Sequence, residues 1–90
     1  MKQENIFKAL SHQSRIDVIK MCTKGATYLE VIQKKTKTEP SLLAHHLQQL
    51  KETKFVLVKK DGKKAVYYLN PKYFIDGAFR FGKLTISFGG

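Results

Sequence analysis

Three features of this 90-residue sequence predict an α+β fold in which three to four short helices precede a β-hairpin. Apolar residues recur at helical spacing as far as Thr53. Beyond it the period shortens toward two. A lysine-rich segment, Lys59-Lys-Asp-Gly-Lys-Lys64, then divides two runs rich in β-branched and aromatic residues. A chain of this length supports one modest hydrophobic core.

Residues 3–10 read as a short amphipathic helix with Ile6, Phe7 and Leu10 on one side. Ser11 is placed to cap a second helix, from about His12 to Cys22, with Ile16, Ile19 and Cys22 in one stripe and Val18 beside it. Thr23-Lys-Gly25 closes that helix: Lys24 suits the negative end of the dipole, and Gly25 suits a left-handed cap. Thr27 and Glu30 fit a capping box for a third helix, which buries Leu29 and Ile32. Lys34, Lys35 and Lys37 stand at its end and in the turn beyond.

A fourth helix is expected over residues 39–53, capped by Thr38, with Pro40 in the first turn where backbone donors lack intrahelical partners. Leu43, Leu47 and Leu50 form its core stripe, and Ser41, Ala44, His45, Gln48 and Glu52 lie opposite. Two short helices joined by a tight turn, the second amphipathic, make a helix-turn-helix candidate. Asp61-Gly62 predicts a two-residue turn between strands Phe55-Val-Leu-Val58 and Ala65-Val-Tyr-Tyr-Leu69. Lys59, Lys60, Lys63 and Lys64 therefore crowd the hairpin tip. An anionic partner would relieve their repulsion, which points to phosphate; lysines also simply keep an exposed hairpin from aggregating.

Asn70-Pro71 ends the second strand, and Lys72-Tyr-Phe-Ile-Asp-Gly77 could form one helical turn. Residues 78–88 look extended, with a possible second hairpin turn at Gly82-Lys83. Phe79, Phe81, Leu84, Ile86 and Phe88 are too apolar for a free tail and are expected to pack on the domain or on a second copy, as a dimer or partner surface. The expected division is a binding domain over 1–70 and an apolar extension over 71–90.

Lys and Arg number 17 against 7 Asp and Glu, a net charge of +10 with a pI near 9.9. Such an excess points to a polyanionic partner, because each phosphate neutralised releases condensed counterions. The carboxylates are scattered singly and no glycine-rich phosphate loop is present, so no catalytic constellation is seen. Cys22 is the sole cysteine, which excludes an intrachain disulfide and a thiolate-rich metal site. It reads as a small core residue, with a reactive thiol as the alternative. His45 and His46 cannot share one ion, since helix neighbours point about 100° apart; no metal or cofactor is expected. No apolar leader or membrane span is found, so an intracellular, cytoplasmic location is expected (the host cytoplasm for a viral or plasmid protein).

Three segments resemble the ArsR-type winged-helix repressors. Ala9-Leu-Ser-His-Gln-Ser-Arg-Ile16 is similar to their opening signature. Ser41-Leu-Leu-Ala-His-His-Leu-Gln-Gln-Leu50 resembles their recognition helix, S-x-V-S-x-H-L-x-x-L, and Gly62-Lys-Lys-Ala-Val-Tyr-Tyr-Leu69 their wing, G-R-x-x-x-Y-x-L. The similarity spans roughly residues 5–70 in order and spacing. It implies a winged helix-turn-helix, a homodimer and binding to promoter DNA, with Ser41, His45 and Gln48 facing bases and Lys63 replacing the wing arginine at phosphates. Ala44 departs from the usual serine and Lys54 from the usual helix-ending glycine. The helix before the turn lacks the cysteine pair of metal-sensing members, so metal sensing is not implied. The long final helix of the family is missing, and the short chain also resembles trimmed winged-helix regulators of archaeal mobile elements.

The resulting expectation is a regulator of transcription that binds double-stranded DNA, a repressor acting as a homodimer. Lys34, Lys35, Lys37, Lys59, Lys60, Lys63 and Lys64 are the expected backbone contacts. A winged-helix module that binds protein within a larger transcription or replication complex is the alternative. His46, at the edge of the core stripe, is expected to tie helices together. Arg15 is expected to meet either a phosphate or an acidic side chain.

Overall fold

The computed structural model describes Lys8 and residues 10–87. The helix expected over residues 3–10 lies almost wholly outside the described residues, as does Phe88. Three helices follow: α1 (Gln13–Cys22), α2 (Leu29–Thr36) and α3 (Pro40–Glu52). A two-residue strand, β1 (Thr27–Tyr28), precedes α2. After α3 come β2 (Val56–Asp61) and β3 (Lys64–Leu69), then β4 (Phe74–Ile75), β5 (Ala78–Phe81) and β6 (Leu84–Ser87). Two antiparallel three-stranded sheets result, in the orders β1-β3-β2 and β4-β5-β6. The fold is α+β, with a helix-turn-helix followed by a hairpin wing.

The helices form where expected, but their caps differ. His12, in extended backbone, occupies the N-cap of α1 without a side-chain bond, and the Ser11 hydroxyl instead donates to the Lys8 carbonyl at 2.6 Å. The capping box at Thr27 and Glu30 is absent because Thr27 and Tyr28 are drawn into the sheet, opposite Tyr67 and Val66. Glu39 rather than Thr38 caps α3; its carboxylate accepts from the Ser41 and Leu42 amides, each at 3.1 Å. Those bonds satisfy two donors with no intrahelical partner, and they hold the Glu39 carboxyl below its usual range. At the close of α1, Thr23 is the C-cap, and Gly25 sits two residues on at φ +137°.

One core joins both sheets to the helices. It includes Val18, Ile19 and Cys22 of α1, Ile32 of α2, Leu43, Leu47 and Leu50 of α3, and Phe55, Tyr67, Leu69 and Phe79 from the strands. On α1 the buried stripe is Arg15, Val18, Ile19 and Cys22, while Ile16 is only half-buried. An arginine thus takes the place assigned to an isoleucine. Cys22 is free and buried, and burial pushes its thiol up to about 11, where thiolate chemistry is suppressed near neutral pH.

The C-terminal segment departs most from expectation. One turn does form, but earlier than expected: the Tyr73 and Phe74 amides donate to the Asn70 carbonyl at 3.1 and 2.9 Å, and the chain then enters β4 and a tight connection at Asp76-Gly77, both at positive φ (52° and 81°). This is the requirement of a type I′ hairpin. Gly82-Lys83 turns the second hairpin as expected, with Phe81 paired to Leu84. Phe79 is fully buried, its ring edge-on to Phe55 at 4.8 Å and to Phe74 at 5.2 Å. It is therefore a core residue of this chain and not part of a partner surface. Leu84 and Ile86, half-buried, also pack against the same core. Apolar side chains on one face of a strand bury themselves on the nearest core before they are available to a second copy.

Candidate nucleic-acid interface

The exposed face of α3 follows from its leucines. With Leu43, His46, Leu47 and Leu50 buried, Ser41, Ala44, His45, Gln48 and Glu52 are left in solvent. The structure thus brings Ser41, His45 and Gln48 together on one exposed face. Two of the three already have local partners. The Ser41 hydroxyl lies 3.1 Å from a Glu39 carboxylate oxygen, and the Gln48 amide donates to Glu52 at 3.4 Å. Glu39 and Glu52 thus place negative charge at both ends of the face, a feature the sequence reading did not weigh.

Behind this face lies a contact between helices. Arg15 and His46 are each only 4% exposed, and Arg15 Nε donates to His46 Nδ1 at 3.1 Å. Arg15 also donates to the Lys8 carbonyl at 3.3 Å. It is therefore neither at the surface for a phosphate nor paired with an acid among the described residues. His46 is the scaffold residue expected, and its partner is the buried arginine.

The wing sorts its four lysines. Asp61 pairs with Lys64 across the hairpin, so the two-residue turn is Gly62-Lys63, one position later than expected. Gly62 takes φ +63° and Lys63 is not among the positive-φ residues, the preference of a type II′ turn. Asp61 itself stays in the strand, where its carboxylate accepts from the Tyr28 hydroxyl at 2.6 Å. Lys64 is paired with Glu30 of α2 at 3.1 Å and lies over the Tyr28 ring, 5.4 Å from its centre. Lys59 lies over the Tyr68 ring at the same distance. Among the described residues Lys60 and Lys63 have no ion pair, and both are exposed. Side chains alternate faces along a strand, so Lys60, opposite Ala65, faces away from the Asp61–Lys64 pair. Of the tip lysines, Lys60 and Lys63 are therefore the least engaged within the chain.

Lys34 and Lys35 in the last turn of α2, and Lys37 after it, are all exposed. Lys37 adopts the left-handed conformation (φ 53°), which turns the chain sharply between α2 and α3. Lys54 does the same at φ 68° after α3. Among the described residues no group of three or more His, Cys, Asp or Glu could hold a metal ion, and no helix is long and apolar enough to cross a membrane.

A helix-turn-helix whose exposed second helix is followed by a basic hairpin is the architecture of winged-helix DNA-binding domains. No protein-family model matches the chain, and no curated protein matches it in sequence. Solved structures do match in fold. HlyU from Vibrio cholerae superposes with a TM-score of 0.71 at 19% identity, over 76% of this chain and 74% of HlyU. Rv0081 of Mycobacterium tuberculosis gives a TM-score of 0.72 at 22% identity, over 78% of this chain and 72% of that protein. An ArsR-family transcriptional regulator, RHA00566, gives 0.70 at 17% identity, over 78% and 72% of the two chains. The chain has the winged helix-turn-helix fold, and its structural neighbours include ArsR-family transcriptional regulators.

Proposed function

We propose that this chain is a sequence-specific double-stranded DNA-binding transcription regulator, a repressor that acts as a homodimer. The observation that carries the reading is the joint placement of an exposed polar face on α3 and a lysine-bearing wing, on a chain with net charge +10. In this reading α3 enters the major groove with Ser41, His45 and Gln48 at base edges. Lys60 and Lys63 lead the backbone contacts, and Lys34, Lys35, Lys37 and Lys59 support them. Lys64 contributes less, because binding phosphate means giving up Glu30.

A winged helix-turn-helix domain from Mycobacterium bovis, similar in fold at 22% identity, is a homodimeric DNA-binding domain. That precedent supports a dimer here. A two-fold dimer requires a palindromic site with half-sites separated by about 10 bp or a multiple. The rival protein-interaction reading leaned on the apolar tail, and it loses support with Phe79 in the core. The test is a mobility-shift and footprinting assay with salt titration on the DNA upstream of the protein's own gene and on random duplex. A protected palindrome with salt-sensitive affinity supports the proposal. Equal, weak binding to all duplexes, no stronger than that of an unrelated basic protein, overturns it.

A further inference from the structure

The buried Arg15–His46 pair takes no part in the proposed DNA contacts, and its chemistry is unusual for a helix seam. Arg15 is a guanidinium in the core stripe of α1, and among the described residues no carboxylate is paired with it. Its Nε–H is spent on His46 Nδ1, a residue of α3. A guanidinium stays protonated at any ordinary pH and can only donate. His46 must therefore accept at Nδ1, which puts its single proton on Nε2 and requires a neutral ring.

Among the described residues, the titratable and charged groups facing the His46 ring are Arg15 from α1, His12 just before α1, and His45 from α3. The His12 ring centre lies 5.1 Å away and that of His45 6.0 Å away. None of these groups carries the negative charge that would stabilise an imidazolium. Protonating His46 removes the acceptor of the Arg15 bond and sets two cations against each other in a buried seam. Burial, Arg15 and the neighbouring histidines accordingly hold His46 below the usual histidine range.

We propose that Arg15 and His46 are positioning residues that seat the recognition helix on α1, and that a proton on His46 unseats it. The inference rests on the DNA-binding reading for its consequence and on the helix seam for its mechanism. The sign follows from linkage. The unfolded chain takes up the proton near the ordinary histidine value and the folded chain only at lower pH. The contribution to stability is thus complete above the ordinary value and is lost as pH falls through the lowered one. His45, exposed on the neighbouring face of α3 and outside the seam, is the comparison position.

The experiment measures amide hydrogen-exchange protection along α3 at pH 7.5 and 5.5, with duplex affinity at the same two values. The variants are His46→Asn, whose amide oxygen replaces Nδ1 as a non-titrating acceptor, His46→Gln as a second such variant, and His45→Gln as the control. Wild type and His45→Gln are expected to lose roughly threefold or more of α3 protection at the lower pH, while the His46 variants stay level. Duplex affinity of His45→Gln is expected to fall in parallel. Equal pH responses in His45→Gln and a folded His46 variant overturn the proposal. So does a side-chain nitrogen spectrum placing the neutral His46 proton on Nδ1. If protection behaves as expected but the wild type does not bind duplex at pH 7.5, the helix seam is supported and the DNA-binding reading fails.

Discussion

Replacing Phe79 with alanine tests whether residues beyond Leu69 belong to the core of the winged helix. Phe79 has no exposed surface, and its ring meets Phe55, next to β2, and Phe74 of β4 edge-on. It is also the strand partner of both Phe74 and Ile86. Truncation removes most of a phenyl ring and leaves a cavity where three strands converge. Buried Phe→Ala changes cost about 3–5 kcal/mol through lost transfer energy and the cavity together. Small domains carry only about 5–15 kcal/mol in total. With each kcal/mol worth about 4–8 °C at this size, the low end of both ranges is a fall in Tm of about 12 °C. Thermal unfolding followed by circular dichroism, alongside urea titration, measures it. Arg80→Ala on the same strand is the control: its side chain is exposed and makes one 3.3 Å bond to the Ile75 carbonyl, so a change within about 0.5 kcal/mol is expected. A Phe79→Ala protein that melts within about 2 °C of wild type would refute the single shared core.

Further outcomes follow from local geometry. Lys54→Gly should stabilise the protein by about 0.5–1 kcal/mol in urea unfolding, since lysine holds φ 68° at a cost that glycine avoids; a loss of stability would contradict that conformation. Glu39→Gln should lower the melting temperature at pH 7 and erase part of the wild type's loss of stability on acidification. The depressed carboxyl contributes above the ordinary glutamate range, and that contribution disappears as pH falls through its lowered folded value. Gln48→Ala should relax preference at a single base position, at about 1–3 kcal/mol, in a competition assay over operator variants; uniform loss on all sequences would remove Gln48 from base reading.

The order of helices and the wing hairpin were legible in the sequence because they rest on periodicity, and periodicity is set by burial. Caps were less so. Ser11 and Thr38 are good capping residues, yet His12 and Glu39 took the positions, because neighbouring candidates compete and tertiary docking fixes where the helix begins. The wing turn moved by one residue, as Asp61-Gly62 and Gly62-Lys63 both satisfy turn chemistry and the Tyr28–Asp61 bond favours keeping Asp61 in the strand. The same turn rule, applied to Asp76-Gly77, would have found β4, a strand too short to show a period of its own. Arg15 was not legible as a core residue: spacing puts it on the α1 stripe, but charge argues against burial, and only its acceptor on another helix resolves the conflict. The exposed face of α3 could be read from its leucines alone, whereas the sorting of the wing lysines depended on cross-strand partners that no local pattern shows.

The central claim, that α3 and the wing bind duplex DNA, is tested most directly by the salt dependence of affinity. Each backbone phosphate contact steepens the slope of log K against log salt concentration by about 0.9. Replacing Lys60 and Lys63 together with alanine is expected to flatten that slope by about two units, with affinity for a footprinted operator and for random duplex falling alike. Lys64→Ala should change it less, given the existing pair with Glu30. An unchanged slope in the double variant would contradict the account, because it would leave the wing outside the interface.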